Sequence, residues 1–526
     1  MPFNIYSIDD IDEWRNQFIF PISLDVGERI EKNICEFLIS EYRRFHPDFK
    51  IHFRIASKTL FLELYDLLMK FAMAFRMRSH EEIDFVHTNH RCPEDAILPS
   101  RCESFQIYEG NYDIEFRNLR LVYDDQYYLN ISPWEKIAKR IYNIFELPPH
   151  AKSDDNRPYL IVPNACSLKY ARIYFKKRPF LIRPELVFNI GNGNNTSFHI
   201  EKAFDNFSER AVEFTRALFW DICNEELPAI LLETLRLAIL NQFNRISSDL
   251  GQARKYCERL PKNIHLFTST AKHYIRTISE VIRERGGRVT GFPHEGGLSG
   301  LVLPSLVFTE FATCDEFICF DEKDAHDYKK YDKINDVQFP VAAELGESPL
   351  NIEANRFKTR QSIDLTKVKA IMYVAYGAHY DNYGSATRCD IQGIDLQFRI
   401  LEYLIGLGKK VVFKNRPKTA YLSDQFDHFG YFNDRVEYTA TPFTDVLEEA
   451  DLFIFEVISS ASIYEAMTLT KKPIILFKTK IPRCTPEFEK MLNKRCYVVD
   501  LYEDERNRLN FNAEILNRIF GLNYEN

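Results

Sequence analysis

Three short stretches of this chain carry side chains suited to holding a phosphate or moving a proton. In Lys414-Asn415-Arg416-Pro417-Lys418, which follows directly on the apolar run Val411-Val412-Phe413, a lysine point charge and an arginine fork sit where a strand gives way to a loop. Both cations suit phosphate, the lysine as a compact charge and the arginine as a bidentate donor. The competing reading is a solvated basic turn. The second stretch is Ser459-Ser460, set between an apolar run at 452–455, followed by Glu456, and an amphipathic segment that contains Glu465 and runs to Lys471-Lys472-Pro473. A helix start exposes backbone N–H groups to an anion, and two serines add hydroxyls; the competing reading is that one of them simply caps the helix. The third is His294-Glu295-Gly296-Gly297. Either His294 or Glu295 could accept a proton from a hydroxyl, and the two glycines let the chain approach a ligand closely; a buried, hydrogen-bonded structural histidine is the alternative.

The elements that must position these residues follow from apolar periodicity. Residues 265–268 read as a strand, 271–285 as a helix closed by Gly286-Gly287, and 288–291 as a strand leading into the His294 stretch. A further strand is expected at 316–320. Beyond it, residues 325–365 are charged, carry Pro340 and Pro349 and lack periodicity, which places a linker at 331–365. A second series follows, with strands at 370–375, 410–413, 452–455, 474–477 and 497–500, and helices at 396–406 and 512–520. Strands alternating with helices imply a parallel sheet, whose ligands collect at the carboxyl ends of the strands. The Lys414 and Ser459 stretches both lie at such ends. The fold expected is therefore α/β, with an amino-terminal domain at 1–330, the linker, and a carboxyl-terminal domain at 366–526, facing one another across a cleft.

The amino-terminal part is less legible. Helices are expected at 28–42 and 59–76, helical periodicity runs from 209 to 247, and residues 159–163 and 180–184 read as strands. Residues 105–128 read as strands of a partly solvated sheet, and Gly191-Asn192-Gly193-Asn194-Asn195 as a turn without the lysine of a nucleotide-binding loop. His87, His90 and Cys92 fit no zinc spacing, and Asp124-Asp125 reads as a turn rather than a cation site. His379 and Asp381, in the loop at 376–384, rank as secondary site candidates because a polar turn would look the same.

Bulk properties narrow the function further. At 526 residues the chain exceeds one core, and its net charge of −8 argues against broad nucleic-acid binding. Eleven scattered cysteines without CxxC pairs suit reduced thiols in the cytoplasm, and Cys314 and Cys319 suit core packing. The first residues lack a basic start and an apolar core, and no stretch approaches the ~18 apolar residues of a span. Any work at a membrane is expected to be peripheral.

The carboxyl half resembles the nucleotide-binding domain of GT-B glycosyltransferases. More narrowly it is similar to bacterial enzymes that build capsule, lipopolysaccharide or teichoic-acid polymers, including Kdo and sialic acid transferases and CDP-glycerol glycerophosphotransferases. Those families carry a strand followed by Lys-x-His-Pro, then an aspartate, a strand, Ser-Ser, a helix with Glu-Ala, and Lys-Pro. Here the first motif is Lys414-Asn415-Arg416-Pro417, with arginine in place of histidine; the second runs from Asp451 through Ser459-Ser460 and Glu465-Ala466 to Lys472-Pro473. Pro293-His294-Glu295-Gly296 resembles the Gln-His-Gly of the other domain, with Glu295 inserted.

The resemblance covers residues 260–480 and implies two Rossmann-like domains with an elaborated amino-terminal region. It implies metal-independent transfer of a sugar from a nucleotide donor to a growing surface glycan or lipid-linked glycan. It also implies no resident cofactor, and peripheral contact with the inner membrane or with other polysaccharide-assembly proteins. It assigns Lys414, Arg416, Ser459 and Ser460 to the donor phosphates, Glu465 with Glu456 to the ribose, Gly296 and Gly297 to close approach, and His294 or Glu295 to the base. The donor is left open among CMP-, UDP-, GDP- and dTDP-linked sugars, with a lean toward cytidine. Polyol-phosphate transfer from a CDP donor, and a non-catalytic assembly protein that binds a nucleotide-sugar or glycan, are the rival readings.

Overall fold

The computed structural model describes residues 22–78, 159–161, 180–182, 202–227, 229–258, 260, 265–268, 273–293, 298–342, 345, 357–358, 364–375, 390–414, 432 and 434–522. The expected strands at 105–128, the turn at 191–195, His87, His90, Cys92, Asp124 and Asp125 lie outside these residues. No described helix is long and apolar enough to cross a membrane.

The chain builds two parallel sheets, each with its own helices, so the architecture is α/β. Helices α1 (Leu24–Arg44) and α2 (Pro47–Arg78) come first, then strands β1 (Tyr159–Ile161) and β2 (Phe180–Ile182). The periodic stretch expected at 209–247 is two helices, α3 (Lys202–Cys223) and α4 (Ala229–Cys257). The break falls at Asn224, whose φ of 55° is left-handed and ends α3, just ahead of Leu227-Pro228. Strand β3 (His265–Thr268), helix α5 (His273–Glu284) and strand β4 (Arg288–Gly291) fall where periodicity put them, and β5 (Glu316–Phe317) follows. In α5, Ile275, Ile278, Val281 and Ile282 recur on one face and are buried, which is how an amphipathic helix covers a sheet.

This first sheet has strand order β2-β1-β3-β4-β5, all parallel. The order reverses between β1 and β3, as in doubly wound sheets of the 2-1-3-4-5 kind. Past β5, at the end of the expected 1–330 domain and where periodicity fades, α6 (Glu322–Lys329) forms, N-capped by Asp321, which accepts from the Asp324 amide at 2.8 Å. Tyr328 and Asp324 are its buried side chains, too few for a periodic signal. Residues 338 and 341 of the expected linker form parallel bridges to Glu316 and Cys319, continuing the first sheet.

The second sheet comprises β6 (Ala370–Val374), β7 (Lys410–Lys414), β8 (Glu437–Thr439), β9 (Leu452–Phe455), β10 (Ile474–Lys478), β11 (Tyr497–Glu503) and β12 (Leu509–Phe511), in the order β12-β11-β10-β9-β6-β7-β8. Its helices are α7 (Asp390–Gly406), α8 (Ala461–Leu469), α9 (Pro486–Arg495) and α10 (Ala513–Ile519). Apart from the antiparallel β12, the strands are parallel and follow the 3-2-1-4-5-6 pattern of a dinucleotide-binding fold. Every residue of β9 is buried, because a central parallel strand is covered on both faces and reads as one apolar run.

The two sheets are tied by backbone. Leu301 bridges Cys484 in antiparallel fashion, Val302 N donates to Arg483 O at 2.8 Å, and Thr485 N to Gly300 O at 2.8 Å. A Cβ on Gly300 would lie 2.5 Å from Phe488 Cγ, so only glycine allows this approach. Helix α1 adds a second tie, its Leu24 N donating to Glu503 at 2.8 Å, with Lys480 on Asp25 at 2.6 Å and Arg483 on Glu28 at 2.8 Å.

Candidate functional site

In the second sheet the strand order reverses between β6 and β9, and the crevice outside the carboxyl ends at such a point is where α/β sheets bind ligands. The register levels those ends: Val374 pairs with Lys414 on one side and with Phe455 on the other. Lys414 and Glu456, which leads to the Ser459-Ser460 turn, therefore leave the sheet at one level on either side of β6.

Lys414 is the last residue of β7, and its carbonyl accepts from Ala375 N at 3.1 Å. Only 4% of it is exposed. Burial pulls its ammonium down from 10.5 to about 8, while the nearby Glu465 carboxylate pulls the other way. A glutamate on α8 is thus near enough to act on the charge of a lysine on β7. The sequence alone leaves this proximity open.

The Ser459-Ser460 turn starts α8, whose N-cap is Ser460 in extended geometry, φ −69° and ψ 129°. The Ser460 hydroxyl makes no cap hydrogen bond; its carbonyl accepts from Ile463 N at 3.2 Å. Both serines are half-buried. The helix start is therefore built without a cap hydrogen bond from the Ser460 hydroxyl. From the helix side, Tyr464 OH donates to Ile458 O at 2.6 Å and fixes the turn.

Glu456, the first residue after β9, is buried. Its Oε2 accepts from Tyr373 OH at 2.8 Å, and its Oε1 accepts from the Gln397 amide. Tyr373 is the penultimate residue of β6, and Gln397 lies on α7. Sequence reasoning passed over both, because Tyr373 sits inside an apolar strand. The available signal was Gln397, a polar residue directly between the apolar Leu396 and Phe398 on α7.

In the first sheet, β4 delivers Gly291, Phe292 and Pro293, all buried, to the carboxyl end. His294, Glu295, Gly296 and Gly297 come next and lie outside the described residues, as do Arg416, His379 and Asp381. Where the chain is described again, Ser299 Oγ donates to Asp324 Oδ1 at 2.5 Å, both groups buried. Burial raises the Asp324 carboxyl to about 7, against the Ser299 hydrogen bond that lowers it. This pair, also absent from the sequence-based reading, pins the chain beyond the His294 stretch to α6. Among the described residues no group of three His, Cys, Asp or Glu side chains is placed to hold a metal ion.

No protein-family model matches the chain, and neither does any curated protein. Among solved structures it is similar to an α,α-trehalose 6-phosphate synthase from Burkholderia multivorans, at 11% identity over 45% of this chain and 62% of that one, with a TM-score of 0.28. The chain thus spans less than two thirds of that structure's length. It is also similar to UDP-forming α,α-trehalose-phosphate synthases from Burkholderia vietnamiensis, at 9% identity over 61% of this chain and 83% of that one with a TM-score of 0.30, and from Burkholderia xenovorans, at 12%, 61%, 74% and 0.29 respectively. Likenesses of this degree decide nothing about the reaction.

Proposed function

We propose that this chain is a glycosyltransferase of the two-domain GT-B kind, which binds a nucleotide-activated sugar at the carboxyl ends of β6, β7 and β9. The observation that carries this reading is the buried Lys414 side chain at the strand-order reversal, at the level where β9 ends and leads into the Ser459-Ser460 turn, with Glu465 within electrostatic reach. A cation held at such cost in a crevice suits a ligand whose negative charge grows during the reaction.

In this reading the leaving nucleotide's phosphate gathers charge as the sugar–phosphate bond breaks. Lys414, Arg416 and the turn at 459–460 stabilise it without a metal ion. Glu465 accepts from ribose hydroxyls. The acceptor hydroxyl gives its proton to His294 or Glu295, approaching from the end of β4 in the other domain, as its oxygen bonds to the anomeric carbon. Gly296 and Gly297 let the chain lie close to the ligand. The acceptor is a growing bacterial surface glycan, of capsule or lipopolysaccharide type, met in the cytoplasm or at the inner face of the membrane.

The test is thermal unfolding of the full chain with CMP, CDP, UDP, GDP and dTDP. A nucleotide at 100 times its dissociation constant adds about 2.7 kcal/mol to the native state. A shift with at least one is expected, and no shift with any would refute the reading. The same site would serve a polyol phosphate on a CDP carrier, and release of CMP with phosphate entering the product would decide for that reaction instead.

A further inference from the structure

We infer that Glu456 is a positioning residue, which with Tyr373 and Gln397 locks the Ser459-Ser460 turn in place for the donor phosphate, rather than a group that touches the donor. The inference rests on the proposed donor site and changes the role of one of its members.

The three side chains come from three elements that meet at the strand-order reversal: Tyr373 from β6, Gln397 from α7 and Glu456 from the end of β9. All three are buried, at 0%, 2% and 4% exposure. Each carboxylate oxygen of Glu456 is engaged by a different donor, Oε2 by the Tyr373 hydroxyl and Oε1 by the Gln397 amide. A carboxylate held this way points into the protein, and reaching a ribose would mean abandoning two buried hydrogen bonds.

The consequence falls on the next four residues. Val457 and Ile458 leave Glu456 for the turn, and Ile458 is clamped from the far side by Tyr464 OH. The turn is thus tied to the sheet through Glu456 and to helix α8 through Tyr464. Oxyanion stabilisation depends on donors held within a fraction of an ångström, and a misplacement of about 1 Å can cost on the order of a hundredfold in rate.

The experiment is titration calorimetry of the full chain with each of the five nucleotides, for the wild type, Tyr373→Phe, Gln397→Glu and the exchange pair Glu456→Gln with Gln397→Glu. Unfolding without nucleotide is measured alongside. Tyr373→Phe removes one donor, and Gln397→Glu sets two carboxylates against each other; each is expected to weaken binding about tenfold. The exchange pair rebuilds the contact in reverse, with the new amide donating to the new carboxylate, and is expected to recover most of the affinity. If Gln397→Glu does not fold, Tyr373→Phe carries the test together with the pair.

A purely structural role would lower stability while leaving the affinity of the folded protein unchanged, and would overturn the inference. So would an exchange pair that folds but binds no better than the single variants, since the Glu456 charge itself would then be the ligand. A wild type that binds none of the nucleotides would overturn the donor-site reading and the inference with it, whereas a wild type that binds and variants that bind equally would overturn the inference alone.

Discussion

Replacing Lys414 by methionine should make the protein more stable and worse at binding. The side chain is 4% exposed, and its ammonium sits at about 8 instead of 10.5. That drop corresponds to roughly 3 kcal/mol by which the native state disfavours the charge, net of the help from Glu465. Methionine fills similar space without a charge to desolvate. At neutral pH Lys414→Met is therefore expected to gain between about 1 and 3 kcal/mol, the upper figure assuming no repacking cost.

The sign with pH is fixed by the same shift. Between about 8 and 10.5 the unfolded chain holds the lysine proton and the native state does not, so wild-type stability from this group rises with pH across that window. The variant lacks that rise, and its advantage should shrink toward zero at high pH. Urea unfolding followed by circular dichroism, at pH near 7 and near 10, reads both. A variant that is less stable at neutral pH, or an advantage that does not change with pH, would refute the burial argument. Nucleotide affinity should fall on two counts: about 10- to 100-fold in the variant, for a lost charged hydrogen bond, and in the wild type as pH rises above about 8 and the free lysine discharges.

Three other perturbations have definite outcomes. Ser460→Ala should cost well under the ~1 kcal/mol usual for an N-cap, because its hydroxyl makes no cap bond, while weakening nucleotide binding; urea unfolding and calorimetry separate the two. Gly300→Ala places a methyl 2.5 Å from Phe488 Cγ, so it should destabilise the seam between the sheets by about 1 to 3 kcal/mol. Limited proteolysis should then cut near residues 300–303 and 483–485 faster than in the wild type. Asp324 titrates near 7 when folded against 3.8 ordinarily, so the native state binds its proton more tightly, and stability from this group falls as pH rises from about 4 to 7. Asp324→Asn should accordingly match the wild type at pH near 4 and exceed it at pH near 8 by up to about 4 kcal/mol, read as urea midpoints at the two pH values.

The central strands of the second sheet were legible in the sequence for one reason. Runs such as Leu452-Phe453-Ile454-Phe455 and Ile474-Ile475-Leu476-Phe477 are buried on both faces, and a strand covered on both sides must be apolar throughout. The helix start at Ser459-Ser460 and the cation at the end of β7 were legible because turn residues and a lysine interrupt those runs abruptly. Short or edge elements were not: β8, the antiparallel β12 and helix α6 each bury too few residues to impose a period. The break at Asn224 was hidden because α3 and α4 both continue an apolar repeat on either side of it.

What the sequence by itself determined is the set of chemical groups and their nearness to strand ends, since local periodicity marks where a strand stops. Only the tertiary structure decided which ends stand together. Lys414 and Glu465 lie 51 residues apart in sequence and come within electrostatic reach because β9 returns to the far side of β6. The same return aims Glu456 inward at Tyr373 and Gln397. Strand order is set by how whole elements pack, a long-range property that no local pattern encodes, and it separates the residues facing the crevice from those that hold it in shape.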